Sequence, residues 1–435
     1  MRSQAFFGAN VPSLSPRVAR STKRPTGLAQ TLAAGVCAFL LLMAPSVSAQ
    51  SYSLLASFNN IDGSNPVGDP LIDSSGNVFG TTQTGGAAGC GVIYELVNNG
   101  GGSYTNTTLY NFAGGGKDGC NPYGGLVMDS SGNLYGSAPL DGEYAAGVIY
   151  ELANSGGTYT ESVIYAFKGH SDGAFPYGDL AMDAKGRLYG TTYNGAGGNC
   201  AFGCGTVFQL TNKSGLWTKK VLHLFKKNKV DGWYPAAGVA LDSKGNIYGT
   251  TNFGGSAGVG TIFKLSPPAK KKTGYKETIL HAFAGANDGC HPYSGVVPDS
   301  SGNFYGTTSG CGQFGYGTVY QLAPSGKTYT NNVIFQCNGG QGYWPYENAG
   351  FVAVDPSGNV YGTASLGGAY GYGTVFALAG GTFTFTDLHD FEGGGNDGLY
   401  PYGGVRLDSA GSLYGTTTGG GSAGGYGAVW QITSP

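Results

Sequence analysis

The chain has 435 residues, of which 82 are Gly and 19 are Pro, and a formal net charge of −2. A Gly and Pro load of this size can signal disorder, but 30 Tyr and 22 Phe speak against it, because disordered chains carry few large apolar side chains. The near-neutral balance lacks the basic footprint of a nucleic-acid binder, so no nucleic-acid partner is expected.

The first element is a targeting segment. Arg17, Arg20, Lys23 and Arg24 form a basic region, an apolar run follows from Leu28 to Ala44, and PSVSAQ places Val47 and Ala49 at the −3 and −1 positions of a cleavage site. This pattern reads as a secretory signal peptide over 1–49, cut after Ala49, with 50–435 as one mature domain. A membrane anchor is the weaker reading, because the run is marginal for a span and ends in a cleavage motif. No later run is long enough to cross a bilayer, so no membrane span is expected after cleavage. The mature chain carries 18 basic against 25 acidic residues and is expected in the periplasm, outside the cell or at its surface. Twelve lysines fall between Lys213 and Lys276 and read as solvated hairpin turns rather than a patch for an anionic polymer.

A repeated unit fills the rest. The motif D-x-x-G-[N/R/S]-x-[Y/F]-G starts at Asp73, Asp129, Asp183, Asp242, Asp299, Asp355 and Asp408. Each copy leads into a Gly-rich segment and then G-[T/V/A]-[V/I]-[FYW]-x-[L/I], beginning at Gly91, Gly147, Gly205, Gly260, Gly317, Gly373 and Gly427. A polar turn and a strand ending near Phe come next, and D-G-x-x-P closes the unit at Asp62, Asp118, Asp172, Asp231, Asp288 and Asp397, with Gln341 standing in the remaining copy. About 55 residues holding four short strands is the size of a propeller blade, so the fold class is all-β, a seven-bladed β-propeller of four-stranded blades. From the axis outward, strand A precedes the first Asp, B is of the LYGTT type, C of the GTVFQL type, and D ends at the Phe.

The glycines then have assigned places. Asp-x-x-Gly-Asn is hairpin chemistry between A and B, and the Gly-rich B–C loops let several loops crowd one face. The segment SYSLLASF (Ser51–Phe58) matches a strand D, whereas the last copy ends at its strand C, GAVWQI (Gly427–Ile432). Completing the last blade with the first strand closes the ring and removes two sheet edges.

These LYGTT–GG–GTVF units resemble the GloVer tandem repeat of exported bacterial proteins, often called choice-of-anchor proteins, over about residues 55–435. The resemblance implies secretion and often a C-terminal sorting segment. It implies no enzyme activity and no catalytic residues.

Seven cysteines follow the leader. Cys90 and Cys120 lie on a B–C loop and on the crossover above the same blade, and make the best bridge. Cys200 and Cys204 can close a small ring, and Cys311 can reach Cys337 or Cys290. A zinc site at Cys200 and Cys204 lacks further ligands at the expected spacing, and neither a metal nor another cofactor is expected. His223, His281 and His389 look like a metal trio by composition, but they hold one strand D position in three blades and lie far apart. The Asp of D-G-x-x-P reads as a turn former.

Residues that break the repeat carry more functional information. On the D–A crossovers these are Trp233, Tyr234, His291, Tyr343, Trp344, Glu347 and Tyr400, with the motif's Tyr346 beside them, and on the second B–C loop Asp141 and Glu143. Rings beside carboxylates on one face suit sugars, whose C–H faces stack on aromatics. The expected role is a secreted, monomeric binding or interaction module for a polysaccharide or a surface protein. A glycoside hydrolase or lyase using a carboxylate pair on that face is the alternative, and a structural surface protein with no small ligand the third reading.

Overall fold

The computed structural model describes residues 50–269, 274–338 and 352–434. Among these, the strands form seven four-stranded antiparallel sheets, the blades of a β-propeller, with no helix beyond two single 3-10 turns. Blade one runs from A to D through Leu71–Ile72, Val78–Thr82, Val92–Gly100 and Ser103–Asn111. Blades two to six repeat this order. In blade seven, Arg406–Leu407, Leu413–Thr417 and Ala428–Ile432 are strands A to C. Its outer strand is Tyr52–Ser57, paired antiparallel with Ala428–Ile432 from Tyr52↔Ile432 to Ser57↔Ala428.

Strand A is only two residues long in every blade, shorter than segments such as GGLVMD suggested. Among the described residues, the glycines just before strand A lie where neighbouring crossovers meet. A Cβ on Gly124 would stand 3.0 Å from the backbone of Gly178, so the close approach needs glycine and leaves no ladder there.

The D-x-x-G-N motif is a hydrogen-bonded hairpin turn. Asp73 Oδ1 accepts from the N–H groups of Ser75 and Asn77 at 2.8 and 2.9 Å, and its Oδ2 accepts from Asn77 Nδ2 at 2.9 Å. Gly76 takes φ 78°, open to glycine at little steric cost. From blade two onward the motif's Tyr closes the same turn, as when Tyr248 Oη donates to Asp242 Oδ2 at 3.0 Å.

The core lies between blades. Seven clusters of buried apolar residues each join two neighbours, including Phe58, Tyr414 and Val429 of blade seven with Val78, Tyr94 and Leu96 of blade one. A hydroxyl crosses most of the same steps. Thr81, Ser137, Thr191, Thr250 and Thr363 donate to a carbonyl at the start of the next blade, and Thr416 does so from blade seven to Gly68.

A second set of contacts binds the blades near their rims. The Asp of D-G-x-x-P does more than shape a turn: at Asp172 and Asp288 it ties its own strand D to strand D of the next blade. Asp118 accepts from Tyr110 Oη at 2.6 Å and faces Glu161. Asp172 accepts from Tyr165 at 2.7 Å and pairs with Lys219 at 2.7 Å. Asp288 lies 3.0 Å from His281 Nε2 and accepts from Asn331 at 2.8 Å, and Asp62 accepts from Asn106 at 3.2 Å. At the step where Gln341 replaces Asp, the flanking positions are instead Phe335 and Phe385, stacked 4.9 Å apart.

Burial first, and then the Asp118 charge, push the Glu161 carboxyl up to about 7 from 4.5, while the Tyr110 hydrogen bond pulls the other way. A carboxyl raised in the folded state binds more protons than in the unfolded chain between those two values, so stability falls as pH rises through that window. Thermal melting is therefore expected to drop between pH 4.5 and 7, and Glu161→Gln to drop less; equal slopes for the two proteins would refute this assignment.

The disulfides are Cys90–Cys120, Cys200–Cys204 and Cys290–Cys311. Cys337 is not a bridge partner. It stands where other blades place Phe112, Phe167, Phe225, Phe283 and Phe391, and is buried at the end of strand D. Three bridges mark a chain that folds in an oxidising compartment, extracellular or periplasmic. Among the described residues no helix is long and apolar enough to cross a membrane.

Candidate functional site

The crossovers place an aromatic residue where the backbone is least tolerant of one. The residue before Pro in D-G-x-x-P has positive φ in six described blades: Asn65, Asn121, Phe175, Tyr234, His291 and Tyr400, all between 54° and 60°. Asn suits this region and large rings do not. The conformation is held from both sides. Tyr234 N–H donates to Cys204 of the preceding B–C loop at 2.9 Å, and its carbonyl accepts from Asn252 at 3.2 Å. The fold imposes the geometry; among the six described blades, four place a ring there.

On blades three and four these rings meet others from the B–C loops. Tyr193 stacks on Tyr234 at 4.9 Å and 16°, Tyr234 meets the edge of Phe253 at 6.1 Å, and Phe253 meets His291 at 4.8 Å. The two-residue ladder Gly232↔Gly254, Trp233↔Phe253 sets Trp233 parallel to Phe253 at 6.4 Å. Inward, Tyr193 contacts Tyr177 at 5.8 Å, and Tyr177 contacts Tyr123 at 5.7 Å. The result is a continuous row of partly buried rings from Tyr123 across blades three and four to His291. Its inner end borders a recess of about 40 Å³ at the axis, lined by Tyr123, Tyr177 and Tyr293. Lys227 Nζ stands 5.9 Å from the Trp233 ring, and His291 Nδ1 lies 2.9 Å from the Asn252 carbonyl.

The structure thus brings Trp233, Tyr234 and His291 together and places the other expected residues elsewhere. Tyr400 packs on Tyr372 at 5.8 Å, on the crossover into blade seven. Asp141 accepts from the Gly115 N–H at 3.1 Å and sits against the Cys90–Cys120 bridge. Glu143 lines a 560 Å³ hollow with Lys117, Tyr144 and Lys168. Tyr343, Trp344, Tyr346 and Glu347 lie outside the described residues. Tyr193 and Phe253 were missed, although each interrupts the TT–GG loop pattern and that interruption is visible in the chain.

The axial channel holds a second group that sequence reading passed over. Arg406 Nη2 lies 3.0 Å from Asp69 Oδ2 and 3.1 Å from Asp179 Oδ2. Asp69 also accepts from Gly404 N–H at 2.6 Å and Asp179 from Gly125 N–H at 2.7 Å, so the cluster ties blades seven, one, two and three across the axis. It lines a cavity of about 820 Å³ with mixed walls, in which Leu71, Val127, Val239 and Val297 stand among polar residues such as Asp73, Ser75 and Asp408. Each carboxylate has its donors and the guanidinium its acceptors, so the cluster works as a brace in the channel neck.

The sequence profile of the family described as Gloeobacter/Verrucomicrobia repeat matches residues 42–240 and again 238–435. No curated protein matches the chain significantly. Among solved structures, a candidate 6-phosphogluconolactonase from Bacteroides uniformis is 15% identical, with 78% of this chain and 88% of that one covered and a TM-score of 0.51. A protein from Lactobacillus plantarum is 16% identical over 78% and 88% of the two chains, with a TM-score of 0.48. Polysaccharide lyase Uly1 is 11% identical over 90% and 94%, with a TM-score of 0.49. At such identities the likeness is one of fold alone.

Proposed function

This chain belongs to the Gloeobacter/Verrucomicrobia repeat family, whose repeats account for its fold, and from the loop face we propose that it is an exported glycan-binding module. The observation that carries this reading is the ring row Tyr177–Tyr193–Tyr234–Phe253–His291 with Trp233 beside it, partly exposed on two adjacent blades. Sugar rings present C–H faces that stack on such a surface, and the phenol, imidazole and nearby carbonyl groups suit their hydroxyls. Blades one, six and seven have no aromatic residue at the loop position of Tyr193, so the row is local and not a by-product of the repeat. Lys227 beside Trp233 favours a polymer that carries carboxylates.

A carbohydrate-active enzyme is less well supported, because Asp141 and Glu143 lie away from the row, while Glu347, the other candidate acid, lies outside the described residues. The test is affinity electrophoresis of the mature protein against neutral and uronate-containing polysaccharides. Retardation without product release is expected, and Trp233→Ala with Phe253→Ala together should weaken it by about 10- to 100-fold, as for loss of two stacking contacts of about 1 kcal/mol each or slightly more. Retardation unchanged in that double variant would overturn the reading.

A further inference from the structure

The rim contact between blades three and four differs in kind from its equivalents. Elsewhere among the described residues the crossover Asp faces hydrogen-bond donors, or one Tyr and one acid. Here Asp231 faces both His223 of its own strand D and Glu277 of the next blade's strand D. His223 Nε2 is 3.6 Å from Asp231 Oδ1 and 3.4 Å from Glu277 Oε1, and the three ligand atoms all lie within 4.8 Å of one another. Each of these atoms is buried and has no hydrogen-bond partner in the protein. The Asp231 side chain is 8% exposed, and its second oxygen accepts from the Lys226 N–H at 3.0 Å.

We propose that His223, Asp231 and Glu277 are the protein ligands of a divalent transition-metal site, suited first to zinc, that clamps blade three to blade four. The donor set is one neutral imidazole and two carboxylates, whose charge matches a divalent cation. A tetrahedral ion with bonds of about 2.0–2.1 Å holds its ligands about 3.3–3.4 Å apart, close to the two imidazole–carboxylate distances here. Calcium takes six to eight oxygens and magnesium an octahedron of them, neither of which fits a three-ligand set that includes nitrogen. A hollow of about 580 Å³, lined also by Lys226, Asn228 and Val230, leads to the three ligands and leaves room for water as a fourth. The site escaped sequence reading because Glu277 lies in the next repeat, at a position held by Asn106, Glu161, Lys219 and Asn331 in other blades.

The experiment uses tag-free mature protein, stripped with EDTA and titrated with Zn²⁺ at neutral pH, with Co²⁺ as a spectroscopic substitute. One Zn²⁺ per chain, an EDTA-sensitive melting temperature and the visible bands of tetrahedral Co²⁺ are expected. Glu277→Gln, which keeps the side-chain size, should lower affinity at least tenfold and abolish the EDTA effect on melting, and His223→Ala should do the same. His281→Ala, at the donor-satisfied contact one blade on, should leave stoichiometry at one. A wild-type protein that takes up no Zn²⁺, or a folded Glu277→Gln that binds as the wild type does, would overturn the site. Neither result touches the glycan reading, which rests on other residues.

Discussion

A mature chain that starts at Asn59, without the strand Tyr52–Ser57 and Phe58, is expected to be insoluble or to melt more than 10 °C below the full-length protein. Three losses combine. Phe58 is fully buried between blades seven and one, 5.0 Å from Tyr94, and truncating such a ring alone costs about 3–5 kcal/mol. The five-residue pairing with Ala428–Ile432 disappears. That strand, which carries the fully buried Trp430, then becomes an open sheet edge able to pair with another chain. Total stabilities are about 5–15 kcal/mol, so the first loss already takes a large share. A peptide of residues 50–58 added in trans should restore solubility and melting in part. A truncated chain that stays monomeric with unchanged melting would show that the ring does not depend on this strand.

Gly415→Ala is expected to cost about 3 kcal/mol or more, although it adds one methyl group. The Gly of the motif's Tyr-Gly lies under the strand C ring of its own blade, and a Cβ on Gly415 would stand 2.2 Å from Trp430 Cζ2. Trp430 is fully buried in the cluster that joins blades six and seven, so it has little room to move. Gly100→Ala provides the contrast. Gly100 has φ 83° and nothing within 4 Å of an added Cβ, so only the backbone conformation is penalised, by about 1 kcal/mol. Combining Gly415→Ala with Trp430→Leu should cost less than the sum of the two single changes, the sign of a shared steric contact. Chemical denaturation of the four proteins measures this, and strict additivity would contradict it.

The architecture was legible because it is written seven times. Asp73 and its six equivalents announce a hairpin, and SYSLLASF could be matched to a strand D with no other place to go. The functional surface was only partly legible, for a physical reason. Repeat comparison shows which residues depart from the pattern, but not which departures meet in space. Trp233, Tyr234 and His291 departed visibly and do meet. Asp141 and Glu143 departed as visibly and lie elsewhere. Arg406 replaces residues such as Val127 and Ala240, and Asp69 and Asp179 replace Gly125 and Gly238, yet their joint meaning appears only when strand A segments converge on the axis. Cys337 misled because it was counted as a thiol among thiols, whereas its place in the repeat is that of a core Phe.

The most direct measurement is the position of a bound oligosaccharide in crystals of the mature protein soaked with a fragment of whichever polysaccharide retards it. A sugar ring is expected against Trp233, Tyr234 or Phe253, on the row between Tyr193 and His291. A sugar seated instead in the axial cavity lined by Arg406, or in the hollow beside Glu143, with the row bare, would contradict the account.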